Sequence, residues 1–308
     1  MKKRIHTTEV HERIKLKPSY LLAIAVSSLI VLSLIVGSFR QSLFIKSRDR
    51  VNVLFYNRQV NLFSIGKDDN INYLVQFYPD IKVPVPGGYG IYRIGALGKM
   101  VLLEKKPELL KKTFAGVTSS FIDIYFYSGE DTIYYGDAKS VDKEMHVGFK
   151  DIFLSRSNAN LFDRLFIYFL LSNKRQDQST VIDEFPTETK ENDTILSVDG
   201  FAKKYIGYFY RRTYREEKKN IQILYNSKYT SALHISSILE GSGIRVSDLT
   251  ELDNPRKGSC EVAESGSGHS ITATDLSQYF GCTLKKGDTG IYDIILTLGN
   301  LENDLEVR

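Results

Sequence analysis

Tyr20–Ser38 reads YLLAIAVSSLIVLSLIVGS, and no charge interrupts the chain from Pro18 to Phe39. Roughly 20 apolar residues at 1.5 Å rise cross a hydrocarbon core of about 30 Å, so the pattern predicts a membrane-spanning helix over 19–39. The rival is a cleaved signal peptide. Its apolar region usually covers only about 7–15 residues before a small-residue cleavage site, and Val36-Gly37-Ser38 matches such a site poorly. Beyond this run the period changes. VNVLFYN, QVNLFSIG and INYLVQFYP read as strands, and Ile122, Ile124 and Phe126 alternate with polar positions as in a half-buried strand. KKPELLKKTFAGVTSS, Lys105–Ser120, predicts one helix with Pro107 in its first turn, where a missing N–H is harmless. NANLFDRLFIYFLLSNK is apolar around nearly its whole circumference, which reads as a core helix or as the wall of a pocket for a lipid chain. Residues 175–197 are polar and read as a linker or long loop, and 199–218 as a helix with a charged end. The last ninety or so residues give strand, helix, strand, strand, helix, strand, a small sheet with two helices on one face.

The expected fold class is therefore α+β, sandwich-like, behind a single N-terminal transmembrane helix. The expected parts are a cytoplasmic tail (1–18), the span (19–39), an α/β domain (50–174), a linker and helix (175–218) and a small C-terminal domain (219–308). Six Lys and Arg residues precede the span, while Arg40, Lys46, Arg48 and Arg50 follow it. That asymmetry favours a cytoplasmic N-terminus and a bulk outside the cytoplasm, in the cell membrane by a single pass. A net charge of +4 in 308 residues, with no helix-turn-helix, gives no ground for nucleic acid. Two Cys and five His without metal spacing give no metal site. Outside the cytoplasm, Cys260 and Cys282 are a candidate disulfide; two buried thiols are the alternative.

The C-terminal segments IQILYNS, SALHISSILEGSGIRV, DLSQYFGC and YDIILTLG resemble, in order and spacing, the LytR C-terminal domain of bacterial envelope proteins. One departure is Ser227, where the family often has Gly. The region 51–128 more faintly resembles the LytR–CpsA–Psr domain, through KDDNINYLVQF, YPDIKVPVPGG, YRIGALG, PELLKKTFAGV and FIDIYFY. The resemblance implies transfer of wall polymers from a polyprenyl pyrophosphate, with arginines and acids holding the pyrophosphate and Mg²⁺. Guanidinium forks suit pyrophosphate and hard oxygens suit the metal. The family's PRD arginine is missing, because Pro79 is followed directly by Asp80. Asp69 stands for the SDT aspartate without the arginine before it, and Arg93 takes the place of the KIN lysine. Only Arg58 and Arg93 lie between Val51 and Ser155. The resemblance then implies a reduced, non-catalytic relative that needs no cofactor. Such a protein binds cell-wall polymer or an envelope protein partner. The alternative is an Mg²⁺-dependent phosphotransferase that ligates glycopolymers to the wall.

VPVPGGYGIYRIGALGK, residues 83–99, holds most of the candidate ligand-binding residues: Arg93, Tyr92, Tyr89 and Lys99, with Asp69 and Asp80 upstream. It fails G-x-G-x-x-G at Arg93, and no strand–turn–helix unit is expected around it. The prolines and paired glycines read as a structural loop with residual binding capacity.

Overall fold

The computed structural model describes residues 18–46, 49–129, 147–173, 179–190, 193–256 and 258–307. The expected N-terminal tail lies outside these residues. The first helix, α1 (Pro18–Arg40), is long and apolar enough to cross a membrane, and none of its apolar window is buried. The fold leaves it uncovered, unlike a core helix. A short helix, α2 (Leu43–Lys46), follows it.

The chain is a mixed α+β protein built on three sheets. The largest runs β7 (Arg156–Ser157), β6 (Ile124–Tyr127), β1 (Arg50–Tyr56), β2 (Val60–Gly66), β3 (Asn72–Phe77), β8 (Ser179–Ile182). Alternation along β1 divides its side chains. Leu54 and Tyr56 enter a core with α4 (Glu108–Thr118), while Val53 and Phe55 enter a second core with α5 (Phe149–Phe153) and α6 (Leu161–Asn173). With helices on both faces, the strands are buried along almost their whole length, the pattern of a covered sheet.

A second sheet orders β5 (Gly90–Arg93), β4 (Lys82–Val85), β10 (Asp193–Leu196), β9 (Thr187–Lys190). The described part of 175–197, residues 179–190 and 193–197, is thus not one long loop. They supply β8, β9 and β10, and β10 closes on β4 by parallel pairing at Ile195–Lys82. Non-local pairing overrode a polar local composition. Residues 199–218 likewise form two short helices, α7 (Val198–Lys204) and α8 (Arg212–Glu217), broken around Gly207 at φ 88°. The segment Leu97–Glu104 is a helix, α3, entered from β5 through a single tight turn at Ile94–Ala96. A strand–turn–helix unit therefore does surround the glycine-rich stretch.

The third sheet orders β12 (Arg245–Glu251), β11 (Asn220–Tyr225), β15 (Ile294–Thr297), β13 (Glu261–Glu264), β14 (Thr283–Lys286). It has one strand more than the sequence pattern suggests, because the polar TLKK at β14 pairs in parallel with β13. Helices α9 (Tyr229–Gly241) and α10 (Ile271–Phe280) send Ile235, Leu239, Ala273 and Leu276 into the same core as Phe114 and Val117 of α4. The structure joins Cys260 to Cys282, with their Cα atoms 4.7 Å apart. The bond ties the entry of β13 to the end of α10 and closes a loop that contributes about 3 kcal/mol in the chain-entropy view.

The α4–α9 contact is close because glycine stands at both ends of it. A Cβ on Gly116 would lie 2.2 Å from the His234 ring, and one on Gly241 would lie 1.8 Å from the Ser119 carbonyl oxygen. A backbone oxygen cannot step aside like a flexible side chain. Gly241→Ala is expected to cost about 2 kcal/mol through forced separation of the helices, read as a lower urea midpoint. An unchanged midpoint would show that the two helices slide apart freely.

Candidate functional site

The sequence-derived residues fall into separate groups. Arg93 ends β5 and faces Asp80 at 3.8 Å, with the two side chains 59% and 82% exposed. An ion pair so exposed contributes about 0–1 kcal/mol. Both line an open groove of about 560 Å³ with Lys82 and Asp193, which also pair. Tyr92 sits on the same strand, opposite Val83. Asp193 was invisible from the motif because it comes from β10, a hundred residues on.

The other candidates lie elsewhere. Asp69, in the β2–β3 turn, accepts from Arg50 at 3.0 Å and from the Ile71 amide at 2.9 Å. Asp69 and Asp80 flank opposite ends of β3, roughly 20 Å of strand. Asp69, Asp80 and Arg93 therefore do not meet in one site. The Tyr89 hydroxyl donates to Glu104 at 2.8 Å, and that bond, with slight burial, raises its pKa. Lys99 is exposed on α3.

The glycine loop is occupied by its own chain. Gly87, Gly88 and Gly90 adopt φ of 89°, 77° and 87°, which only glycine enters readily. Both the Gly87 and Gly88 amides donate to the Glu306 carbonyl, at 2.9 and 3.0 Å. At the start of α3, the Gly98 amide donates to the Tyr56 hydroxyl at 2.8 Å. The donors that a phosphate cradle would offer are already engaged, and the stretch pins the C-terminal tail.

A better-built site lies at the strand ends of the large sheet. β1 runs parallel to β6, and β3 parallel to β8, while β2 is antiparallel to both β1 and β3. The carboxyl ends of β1, β3, β6 and β8 therefore share one edge. Open α/β sheets hold their ligands outside that edge. Three amide side chains gather there on the α5 side: Asn57, Asn61 and Gln76. They are 6%, 1% and 8% exposed. Asn61 pairs across the ladder with both Phe55 and Gln76, and the Asn57 amide donates to Asp151 of α5 at 3.3 Å. The Asn57 Oδ1 and the Gln76 Nε2 are buried and have no hydrogen-bond partner among the described residues. Buried polar atoms are nearly always satisfied, so an acceptor and a donor left open at a ligand edge mark a candidate site. The set has one negative charge, Asp151, and otherwise neutral groups that both donate and accept. It suits hydroxyls better than a pyrophosphate. Among the described residues, no three acidic, His or Cys side chains gather as a metal site. The sequence signal for these amides was present but faint: single polar residues inside otherwise apolar strands.

A second polar cluster is structural. Arg211 is buried and forks onto Asp123 at 2.7 and 2.8 Å, and it also donates to the Tyr214 hydroxyl at 2.9 Å. Tyr214 in turn donates to Asp275 at 2.7 Å. Burial alone would lower the guanidinium pKa, but Asp123, Tyr214 and Asp275 raise it on balance, so Arg211 stays charged.

No protein-family model matches the chain, and no curated protein is a significant match. Among solved structures, the transcriptional regulator yvhJ from Bacillus subtilis is similar at 8% identity and a TM-score of 0.33, covering 51% of this chain and 94% of its own. TagT, solved bound to LIIa-WTA, is similar at 9% identity and a TM-score of 0.36, covering 52% and 89%. A transcriptional regulator from Enterococcus faecalis is similar at 12% identity and a TM-score of 0.34, covering 52% and 86%.

Proposed function

We propose that this chain is a membrane-tethered, extracytoplasmic envelope protein that binds the sugar portion of a cell-wall polymer without catalysis. One observation carries the reading: the strand-end site presents Asn57, Asn61 and Gln76, two of them with open polar atoms, in place of converging charges. Amides that donate and accept match sugar hydroxyls. The uncovered apolar helix α1 supports the tether, and the C-terminal resemblance to the LytR C-terminal domain supports the envelope setting. The transferase alternative requires Asp69, Asp80 and Arg93 to act together, and β3 holds Asp69 away from the other two.

The test is titration of the full chain in nanodiscs with purified wall glycan strands, and separately with a polyprenyl pyrophosphate analogue with and without Mg²⁺. Glycan binding weakened about tenfold in Gln76→Leu is the expected result, the size of one buried hydrogen bond. Metal-dependent binding of the analogue that disappears in Arg93→Ala would replace this reading with the transferase.

A further inference from the structure

The tether does not leave the body swinging free. Just past α1, the chain locks onto the first turn of α6. The Asn160 side-chain amide donates to the Ser38 carbonyl at 3.2 Å, and the Leu43 amide donates to Asp163 at 2.8 Å. The Phe39 and Phe162 rings meet edge to face at 5.2 Å between centroids. Helix α6 is thus fixed beside the point where the span ends.

Its outer side is apolar. The inner side buries Asp163, Ile167 and Leu171, while Leu161 and Phe169 are 60% and 53% exposed, with half-buried Leu165 between them. Positions i, i+4 and i+8 form one stripe along a helix. Ile45 of α2, a helix packed against α6, is 51% exposed. The sequence pattern read α6 as a core helix or the wall of a lipid pocket; its outer stripe instead stands uncovered. Cations stand near the end of the span. Arg40 is the last residue of α1 and Lys46 the last of α2, and both line a polar cleft of about 660 Å³ with Asn160 and Asp163. The Asp163 carboxylate is already engaged by the Leu43 and Asn160 amides. Cations at the end of a span sit at headgroup depth.

We propose that α6 lies on the bilayer surface, with Leu161, Leu165 and Phe169 in the interfacial layer and Arg40 and Lys46 on lipid phosphates. The proposal rests on the reading of α1 as a membrane span. A lipid surface is the occupant because the stripe starts where α6 is bonded to the end of the span, at which Arg40 stands, and an apolar helix side held at that level is what an interfacial helix offers. The anchored body is then held down against the membrane in one orientation.

The chain suits site-directed spin labelling, because both cysteines are joined in the disulfide. Single labels at Val31→Cys, Phe169→Cys and Ile291→Cys are introduced in the full chain and reconstituted in phosphatidylglycerol–phosphatidylethanolamine vesicles. Phe169 and Ile291 are both exposed, so neither substitution opens the core. The expected result is a several-fold higher ratio of oxygen to nickel-chelate accessibility at 169 than at 291, with 31 deepest. A label at 31 in lipid with 169 as wet as 291 overturns the proposal and leaves the tether intact. A label at 31 in water overturns the tether itself. Spin–spin broadening at 169 that vanishes on dilution with unlabelled protein assigns the stripe to a second copy and also overturns the proposal.

Discussion

Asp123→Asn is expected to destabilise the folded chain by about 3–5 kcal/mol, because it strips the nearest charge partner from a buried guanidinium. The Arg211 and Asp123 side chains are 2% and 1% exposed. Each Asp123 oxygen is engaged: Oδ1 accepts from Arg211 at 2.7 Å, and Oδ2 accepts from Arg211 at 2.8 Å and from the Asn52 amide at 2.9 Å. Three chain segments meet here, the entry of β6, the start of α8 and the middle of α10. The Phe121 ring covers the guanidinium at 5.5 Å. Tyr214 and Asp275 are placed to keep part of the charge compensated, so the loss falls short of a full desolvation penalty. The measurement is a urea titration of wild type, Asp123→Asn, Arg211→Met and the double variant. The double variant is expected to recover part of the loss, since the buried guanidinium is gone and Asp275 keeps its hydrogen bond from Tyr214, and the cycle gives the coupling. A loss under about 1 kcal/mol for Asp123→Asn would mean that water reaches Arg211.

This network shows why the sequence was only partly legible. The apolar spans, the period-two strands and the alternation of strand and helix after residue 219 are local patterns, and the elements formed where they pointed. The Arg211–Asp123 pair spans 88 positions, and its arginine sits in RRTYREEKK, a string that reads as a solvated helix end. Nothing local distinguishes Arg211, buried in the core, from Arg212 beside it, which is exposed and pairs with Glu216. The same holds for β10 and β14, polar segments that became strands because a partner edge was waiting. The glycine stretch failed differently. Its backbone conformation was legible in Pro84, Pro86 and the glycines, but the Glu306 carbonyl that occupies its amides lies more than two hundred residues away. The site amides were legible as exceptions to strand pattern. Their meeting at one strand edge required the strand order.

His234 is expected to make the protein lose stability on mild acidification. Its ring lies against Gly116 across the α4–α9 contact, and its Nε2 is buried with no partner among the described residues. Burial holds its pKa down at about 4 against an ordinary 6.5. Above pH 6.5 both the folded and unfolded forms carry a neutral ring, and the packing contributes in full. As the pH falls from 6.5 towards 4, the unfolded chain takes up the proton first, and stability falls by at most about 1.4 kcal/mol per pH unit. Across the window the loss is at most about 3 kcal/mol, and below pH 4 this group adds no more. Carboxylates in ion pairs also lose stability in acid, so the wild-type slope alone is ambiguous. The difference between wild type and His234→Gln isolates the ring, because glutamine does not titrate. The expected result is a stability gap that shifts in favour of the variant between pH 6.5 and 4 and stays constant above 7. Parallel pH profiles would show that the imidazolium finds water without the helices parting, and the α4–α9 contact would then be looser than Gly116 and Gly241 make it.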